Sequence, residues 1–162
     1  MAEILNRPQG TKEEIYKALI PQLKSIIDKD VDIIANMANI SSCLKEAFGF
    51  WWVGFYRVME ADGKKELILG PFQGPLACTR IGYGRGVCGS SWKERKTIIV
   101  PDVEKFPGHI ACSSASKSEI VVPIFKQDEV IAVLDIDSEH LDTFDKTDCL
   151  YLEEVAQMLS LV

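Results

Sequence analysis

The N-terminal part of the chain carries apolar side chains at helical spacing. After a capping box between Thr11 and Glu14, apolar residues recur three or four positions apart. They are Ile15, Leu19, Leu23, Ile26 and Ile27. Pro21 falls within this pattern and predicts a kink or a break near residue 20. A second apolar stripe predicts another helix over residues 31–48, so two helices are expected before the first strand.

From Trp51 onward the spacing changes to that of β-strands. The segment WWVGFYRVME alternates and is rich in aromatic and β-branched residues, and KELILGPF follows it after the turn ADGK. Three more strands are predicted, over 97–100, 119–125 and 130–137. A short helix over 87–94 interrupts the strands, and an amphipathic helix capped by Asp145 closes the chain. This order predicts one α+β domain spanning residues 1–162, with a central, mostly antiparallel sheet of about five or six strands and helices packed on one side.

Charge and composition narrow the classes of partner. The 162 residues carry a formal net charge of -6 and no basic stripe, so neither nucleic acid nor an anionic membrane is expected as a partner. The N-terminal segment lacks the features of a secretion signal, and no apolar run approaches the length of a membrane span. We therefore expect a cytoplasmic protein, in a compartment where thiols stay free and lasting disulfides are rare.

Three carboxylates are placed to meet at one end of the predicted sheet. Strand alternation puts Asp135 and Asp137 on one face and their apolar neighbours on the other, while Glu119 opens the adjacent strand. Carboxylates this close repel one another unless a cation or an ammonium group lies between them, and the repulsion raises at least one carboxyl pKa. Asp137 alone is explained as the solvent-exposed end of a strand, whereas the apolar neighbours of Asp135 favour a functional role.

Adjacent tryptophans mark the start of the first predicted strand. Aromatic residues in such a segment are most often part of the core. In a strand, however, Trp51 and Trp52 would face opposite ways, so one of them is expected to line the mouth of a cavity. An aromatic wall beside carboxylates and a thiolate suits a small zwitterion that carries a soft sulfur group.

Three of the five cysteines lie in predicted loops rather than in periodic apolar segments. Cys78, Cys88 and Cys112 stand among small, turn-forming residues that leave the sulfur reachable. The residues alone leave three interpretations open: a redox couple, a metal site, or chance. A zinc site would take His109 as its fourth ligand, although the paired C-x-x-C spacing typical of structural zinc is missing. Otherwise His109 either lowers the pKa of the Cys112 thiol or lies at the surface.

Six short segments, taken together, resemble the free methionine-(R)-sulfoxide reductases, which are single GAF-domain enzymes. They are LILGPFQGPLAC, GRGVCG, VPDV, FPGHIAC, KSEIVVPI and VLDID. The resemblance implies a GAF-like fold, reduction of free L-methionine (R)-S-oxide to L-methionine, regeneration by thioredoxin, and no metal or organic cofactor. The oligomeric state stays open, a homodimer included. The alternative is a non-enzymatic GAF sensor domain that binds a small ligand, since a fold does not fix a function.

The resemblance also implies a role for each of the three loop cysteines. Cys112 would be the catalytic cysteine, Cys78 its resolving partner by disulfide, and Cys88 an additional recycling cysteine. The catalytic thiolate would take the sulfoxide oxygen and become a sulfenic acid. A second thiol would then condense with it to a disulfide, which an external dithiol reduces by exchange.

The remaining predicted site residues form the substrate pocket. Glu119, Asp135 and Asp137 match the acidic pocket of the family, and Trp52 matches its aromatic wall. Within this pocket we expect Glu119 to be the acid that protonates the departing oxygen, because a carboxyl among carboxylates is the one most easily kept protonated. Asp135 and Asp137 would hold the ammonium group of the substrate.

Overall fold

A six-stranded antiparallel sheet forms the centre of the molecule. The computed structural model describes residues 4–110, 112 and 114–162. In chain order its elements are α1 (Lys12–Ile26), α2 (Ile33–Phe48), β1 (Trp52–Ala61), β2 (Lys64–Gln73), β3 (Arg80–Ile81), α3 (Gly86–Glu94), β4 (Ile98–Val100), β5 (Ser118–Lys126), β6 (Glu129–Ser138) and α4 (Lys146–Ser160). The strands lie in the order β3-β2-β1-β6-β5-β4, and every neighbouring pair is antiparallel. The predicted α+β class and antiparallel sheet are confirmed.

The first helix runs through Pro21 without ending. Of the kink or break predicted near residue 20, the break is therefore wrong and the kink stays a prediction, while the predicted capping box between Thr11 and Glu14 is present. Proline removes one backbone donor and normally interrupts a helix. Here Pro21 lies on the exposed side, while Leu19 and Leu23 on either side of it are fully buried. Burial of that apolar stripe holds the helix together across the proline.

Three helices cover one face of the sheet, which we call the helix face. Buried side chains of α1, α2 and α4 pack there against alternate residues of β1, β5 and β6. The strand residues in this core include Val53, Phe55, Ile120, Val122, Ile124, Leu134 and Ile136. Each large side chain that is fully buried contributes about 1.5–3 kcal/mol of transfer free energy, so this core supplies most of the stability. None of the helices in the described part of the chain combines the length and the apolar composition that crossing a bilayer requires.

The helix face also buries one carboxylate, and that carboxylate is fully paired. Asp148 in the first turn of α4 is 0% exposed. It accepts hydrogen bonds from Lys12 Nζ at 2.5 Å and from the Tyr16 hydroxyl at 2.8 Å, both in α1. The backbone N–H of Asp145 donates to the same carboxylate at 2.9 Å. This network joins the two terminal helices of the chain.

The fourth helix, α3, packs on the opposite face of the sheet, which we call the α3 face. The prediction that the helices lie on one side therefore holds only for α1, α2 and α4. The reason is that the strands are apolar on both sides, because Trp52, Tyr56, Val121 and Val133 alternate with the residues of the helix-face core. A sheet that is apolar on both faces needs cover on both. Residues Val87, Cys88 and Trp92 of α3 supply part of it.

Candidate active site

A row of carboxylates crosses the sheet on the α3 face. Glu119 of β5 lies directly opposite Asp137 of β6, and Trp52 of β1 lies opposite Asp137 on the other side. Asp135 lies two residues before Asp137 on the same strand, opposite Gly54. Because side chains alternate along a strand, Asp135 and Asp137 point to the same face, and Glu119 joins them there. This convergence, predicted from the sequence, is confirmed.

These carboxylates are buried, and no lysine or arginine in the described part of the chain is paired with them. Glu119 and Asp135 are each 6% exposed, and Asp135 Oδ1 has no hydrogen-bond partner among the described residues. Burial first, and then the charges of Asp135 and Asp137, raises the pKa of Glu119 well above its usual range. Burial, and then the charge of Asp137, likewise raises the pKa of Asp135. The cluster therefore holds protons at a pH where isolated carboxyl groups would have lost them.

Asp137 is the member of the cluster that ionises most readily. Burial raises the pKa of Asp137 to about 6, and a hydrogen bond from Ser116 limits the rise. The Ser116 hydroxyl donates to Asp137 Oδ1 at 2.6 Å from the loop that follows Cys112. No pattern in the sequence identifies Ser116, because a single loop serine is common and its partner is distant in the chain. At neutral pH Asp137 carries a negative charge, while Glu119 keeps its proton more strongly.

His109 contacts the acidic cluster rather than the surface. Its Nε2 lies 3.7 Å from Glu119 Oε2, and the side chain is 16% exposed. Burial lowers the pKa of His109, so the imidazole is neutral near pH 7 and does not balance the carboxylates as a cation. The predicted effect of His109 on the Cys112 thiol stays a prediction, since the contact in the structure is with Glu119.

Two aromatic side chains of β1 hold the exposed segment that carries Cys78. Trp52 is 4% exposed and stacks between Phe72 and Tyr56, with ring centroids 5.3 Å and 6.0 Å away. Its indole Nε1–H donates to the Pro75 carbonyl at 3.1 Å. The Tyr56 hydroxyl donates to the Cys78 carbonyl at 2.9 Å. Trp52 therefore forms a wall of the cavity, as predicted, and also anchors the segment above it.

Gly54 lets that aromatic stack close over the strand. A Cβ at this position would lie 2.3 Å from the Cβ of Phe72 and 2.8 Å from the Trp52 ring. Distances this short do not occur between real side chains, so only glycine fits opposite Asp135.

Trp51 lies on the same side as Trp52, which corrects the prediction that the two tryptophans face opposite ways. Strand alternation does not apply, because Trp51 sits in a bend and β1 begins at Trp52. Trp51 packs with the α3-face residues and lines the cavity. Its indole N–H is buried, and it donates to no described residue. An unpaired buried donor costs about 1–3 kcal/mol, so this N–H is a candidate contact for a bound ligand.

Cys78 and Cys112 form a disulfide. Their Cα atoms are 5.6 Å apart, within the range that a disulfide spans. Both residues are half-buried. The pair joins the 75–78 segment to the loop that contains His109 and Ser116. Of the three interpretations that the sequence left open for the cysteines, this bond favours a redox couple.

Cys88 has a different environment from the other two. It lies in the first turn of α3, is 4% exposed and carries a free thiol. The prediction that its sulfur is reachable is wrong, because the glycine before it opens a buried helix instead of an exposed loop. Burial raises the pKa of the Cys88 thiol well above its usual value, and the neighbouring Asp135 and Glu119 raise it further. Cys88 is therefore a neutral thiol in this state.

The four-ligand zinc site considered from the sequence is not formed. Two of its ligands, Cys78 and Cys112, are bonded to each other. A different set of ligand atoms converges within 4.8 Å on the α3 face, from Cys88, Glu119 and Asp135. A metal requires its ligands deprotonated, whereas burial favours the protonated forms of all three. This chemistry fits proton sharing better than metal binding.

These residues surround one cavity beside the disulfide. Cys112, Trp51 and the exposed side chains of Leu76 and Arg85 belong to its lining, together with the buried carboxylates. About 40 Å³ inside it is open to the centres of water-sized molecules. One water needs about 10–15 Å³ on this measure, so the disulfide form has room for about three waters.

The chain was compared with protein families and with individual proteins. The profile of the GAF domain family matches residues 32–162. GAF domain-containing protein A of Dictyostelium discoideum is 56% identical over 98% of this chain and 99% of its own length. The free methionine-R-sulfoxide reductase of Saccharomyces cerevisiae is 43% identical over 92% of this chain and 86% of its own.

The fold was also compared with solved structures. The X-ray structure of free methionine-R-sulfoxide reductase from Neisseria meningitidis, in complex with its substrate, matches with a TM-score of 0.93. The two sequences are 52% identical, and the match covers 98% of this chain and 94% of the other.

Proposed function

This chain belongs to the GAF domain family and, within it, to the free methionine-R-sulfoxide reductases, and we propose that it reduces free L-methionine (R)-S-oxide to L-methionine through Cys112. The observation that carries the proposal is the Cys78–Cys112 disulfide beside a cavity of buried carboxylates. The two thiols supply two reducing equivalents when they form the disulfide, and the carboxylates suit a charged amino acid. A ligand sensor of the same fold needs no such bond.

The carboxylates select a substrate with a free ammonium group. Asp135 and Asp137 share one face, and Asp135 Oδ1 has no partner among the described residues. An ammonium group placed there satisfies the unpaired oxygen and relieves the repulsion within the cluster. A methionine sulfoxide inside a peptide offers an uncharged amide nitrogen instead. The site therefore distinguishes free methionine sulfoxide from a methionine sulfoxide residue within a peptide.

The first chemical step moves the sulfoxide oxygen to Cys112. The Cys112 thiolate attacks the sulfoxide and takes over its oxygen, the sulfur–oxygen bond of the substrate breaks, and methionine leaves with the bonding electron pair. Glu119 is the acid that protonates the oxygen, since its raised pKa keeps it protonated near neutral pH. The product on the enzyme is Cys112 sulfenic acid.

The second step forms the disulfide. The Cys78 thiol attacks the sulfur of the sulfenic acid, the sulfur–oxygen bond breaks, and water leaves. The 5.6 Å between the two Cα atoms supports Cys78 as the resolving cysteine. A recycling role for Cys88 stays a prediction, and it would require ionising a thiol whose burial and neighbouring carboxylates oppose a negative charge.

Thioredoxin is the reductant we propose for the disulfide, and the cytoplasm is the compartment. The disulfide is half-buried, so a protein dithiol can approach its outer sulfur. The homodimer considered from the sequence stays a prediction.

The proposal is tested by turnover of separated sulfoxide diastereomers, with dithiothreitol as reductant. The R diastereomer of the free amino acid should be reduced, and the S diastereomer should not. N-acetylation of the R diastereomer removes the ammonium charge and should lower kcat/KM by about a hundredfold, the loss expected for a buried charge pair. Equal turnover of the free and N-acetylated R compounds would contradict the proposal.

A further inference from the structure

We propose that the segment Pro75 to Cys78, the 75–78 segment, is the docking surface for a protein dithiol of the thioredoxin class, and that the partner attacks Cys78. This inference rests on the proposed function, because it assumes that the disulfide is opened once per turnover. It adds the surface that the reductant recognises and the sulfur that it meets first.

The 75–78 segment is anchored from below by its carbonyl groups. The indole of Trp52 donates to the Pro75 carbonyl, and the hydroxyl of Tyr56 donates to the Cys78 carbonyl. Both anchors rise from β1 and are themselves buried. The segment is thereby held in place while its outer side remains uncovered.

The segment offers main-chain donors that are unpaired within the described structure. The amide N–H groups of Leu76 and Ala77 donate to no described residue, and Pro75 and Leu76 are exposed. Unpaired backbone donors on an exposed segment can pair with the main chain of a second protein. Since these donors immediately precede Cys78, such pairing brings the partner to the disulfide.

The segment also offers an apolar contact. Leu76 is 89% exposed, two residues from Cys78. A single exposed leucine is ordinary, but Leu76 lines the same opening as the half-buried Trp51, Ala77 and Ile110. These apolar side chains line one opening beside the disulfide, a contact that a small-molecule thiol does not need and a protein partner uses.

Charge favours Cys78 over Cys112 as the sulfur attacked. Cys112 lines the cavity that contains Asp137, whose negative charge repels an incoming thiolate. Cys78 belongs to the exposed segment. The partner thiolate bonds to Cys78 Sγ, the Cys78–Cys112 bond breaks, and Cys112 leaves with the electron pair and takes up a proton. The second thiol of the partner then attacks its own mixed disulfide, Cys78 leaves as a thiol, and the partner departs oxidised.

Substitution at Leu76 separates protein docking from the chemistry of the disulfide. Leu76→Ser and Leu76→Asp should lower kcat/KM for thioredoxin by about tenfold or more, because an apolar anchor is lost. Any effect of Leu76 on the cavity that it lines enters the turnover with dithiothreitol equally, so the ratio of kcat/KM for thioredoxin to kcat/KM for dithiothreitol should fall by about tenfold. The matched control is Leu150→Ser, which removes a leucine that is 65% exposed on α4, at the helix face. It should leave both rates unchanged.

A trapping experiment tests the sulfur attacked. Thioredoxin whose second cysteine is replaced by serine cannot complete the exchange and stays bonded to its target. Peptide mapping of the trapped complex should find thioredoxin on Cys78. Attachment to Cys112 would overturn the assignment of the attacked sulfur.

The outcomes separate this proposal from the proposed function. If dithiothreitol supports turnover and the Leu76 variants react with thioredoxin as the unsubstituted protein does, the docking surface is refuted and the function stands. If the Leu76 variants lose activity equally with both reductants, Leu76 serves the cavity and the docking surface is again refuted. If the unsubstituted protein turns over with dithiothreitol but not with thioredoxin, the proposed class of partner is wrong. If neither reductant supports turnover, the proposed function fails.

Discussion

Asp148 and Asp135 are both buried, on opposite faces of one sheet, and their surroundings are opposite in kind. Asp148 on the helix face accepts hydrogen bonds from Lys12 and Tyr16. Asp135 on the α3 face has Glu119 and Asp137 as neighbours and an oxygen without a partner in the described structure. A buried carboxyl group without compensation costs free energy, whether it ionises or takes up a proton. The comparison teaches that the helix face is built for stability, while the α3 face gives up stability at the proposed ammonium site.

Among substitutions that test this difference between the two faces, the largest loss of turnover is expected at the proposed nucleophile, Cys112. Cys112→Ser should lower turnover of the free sulfoxide at least about a thousandfold, because an alcohol at this position cannot act as the thiolate does. The measurement is methionine formed with dithiothreitol as reductant.

A matched variant for Cys112→Ser lies on the helix face. Cys149→Ser changes a half-buried cysteine of α4 and should leave turnover unchanged. If both variants lose activity, or if neither does, the conclusion that only the α3 face carries the chemistry would be contradicted.

Paired substitutions at the two aspartates sharpen the comparison. Asp135→Asn should lower kcat/KM on the free substrate by about a hundredfold, since the ammonium loses its charged partner. The same change should raise Tm by about 3 °C, because a carboxyl group whose pKa is raised by burial destabilises the folded state at neutral pH. Asp148→Asn should lower the free energy of unfolding by about 3 kcal/mol, because Lys12 is left without its buried partner.

Turnover of Asp148→Asn, measured well below its Tm, should equal that of the unsubstituted protein. Chemical denaturation and steady-state kinetics on both variants check the pair. The comparison fails if Asp148→Asn loses as much kcat/KM as Asp135→Asn does.

The pH dependence should have opposite signs for binding and for stability. The folded-state pKa of Asp137 is about 6, above the value near 4 of an unfolded chain. Between these values the folded protein holds a proton that the unfolded chain has lost, so this contribution to stability falls as pH rises from about 4 to about 6. Ammonium binding needs the ionised form, so kcat/KM should rise about tenfold per pH unit below 6 and then level off. Asp137→Asn should remove both slopes; profiles parallel to the original would contradict the assignment.

The smallest effect is expected at Trp51. Trp51→Phe keeps an aromatic ring and removes the unpaired N–H, so KM should rise about fivefold with kcat unchanged, as for one lost neutral hydrogen bond. Trp52→Phe is the informative comparison, because its N–H holds Pro75 and its loss should disturb the 75–78 segment. An unchanged KM in Trp51→Phe would show that this N–H does not contact the substrate.

Local periodicity predicted the parts of the site that lie within one strand or one hairpin. Asp135 and Asp137 are two residues apart, and a period of two places them on one face whatever the rest of the fold does. The predicted orientation of Trp51 was wrong because alternation depends on where a strand begins. The ends of a strand are set by its neighbours across the sheet. The burial of Cys88 and the side on which α3 packs depend on contacts across the sheet, which a local pattern does not encode.

The pairing of Asp148 with Lys12 could not be predicted from the sequence either. Its partner Lys12 is 136 residues away in the chain, and nothing in either local sequence connects them. The capping residue Asp145 was predicted because its role is local, and it does cap α4.

The bond between Cys112 and Cys78 determines the kinetic order of the reaction. While the Cys112 sulfur is bonded to Cys78, it cannot attack a second sulfoxide, so the bond must be opened before the next turnover. Reduction of the sulfoxide and reduction of the disulfide therefore alternate, and double-reciprocal plots at several thioredoxin concentrations should give parallel lines. In a starved or oxidised cell, the supply of reduced thioredoxin rather than the concentration of sulfoxide would then limit the rate of turnover.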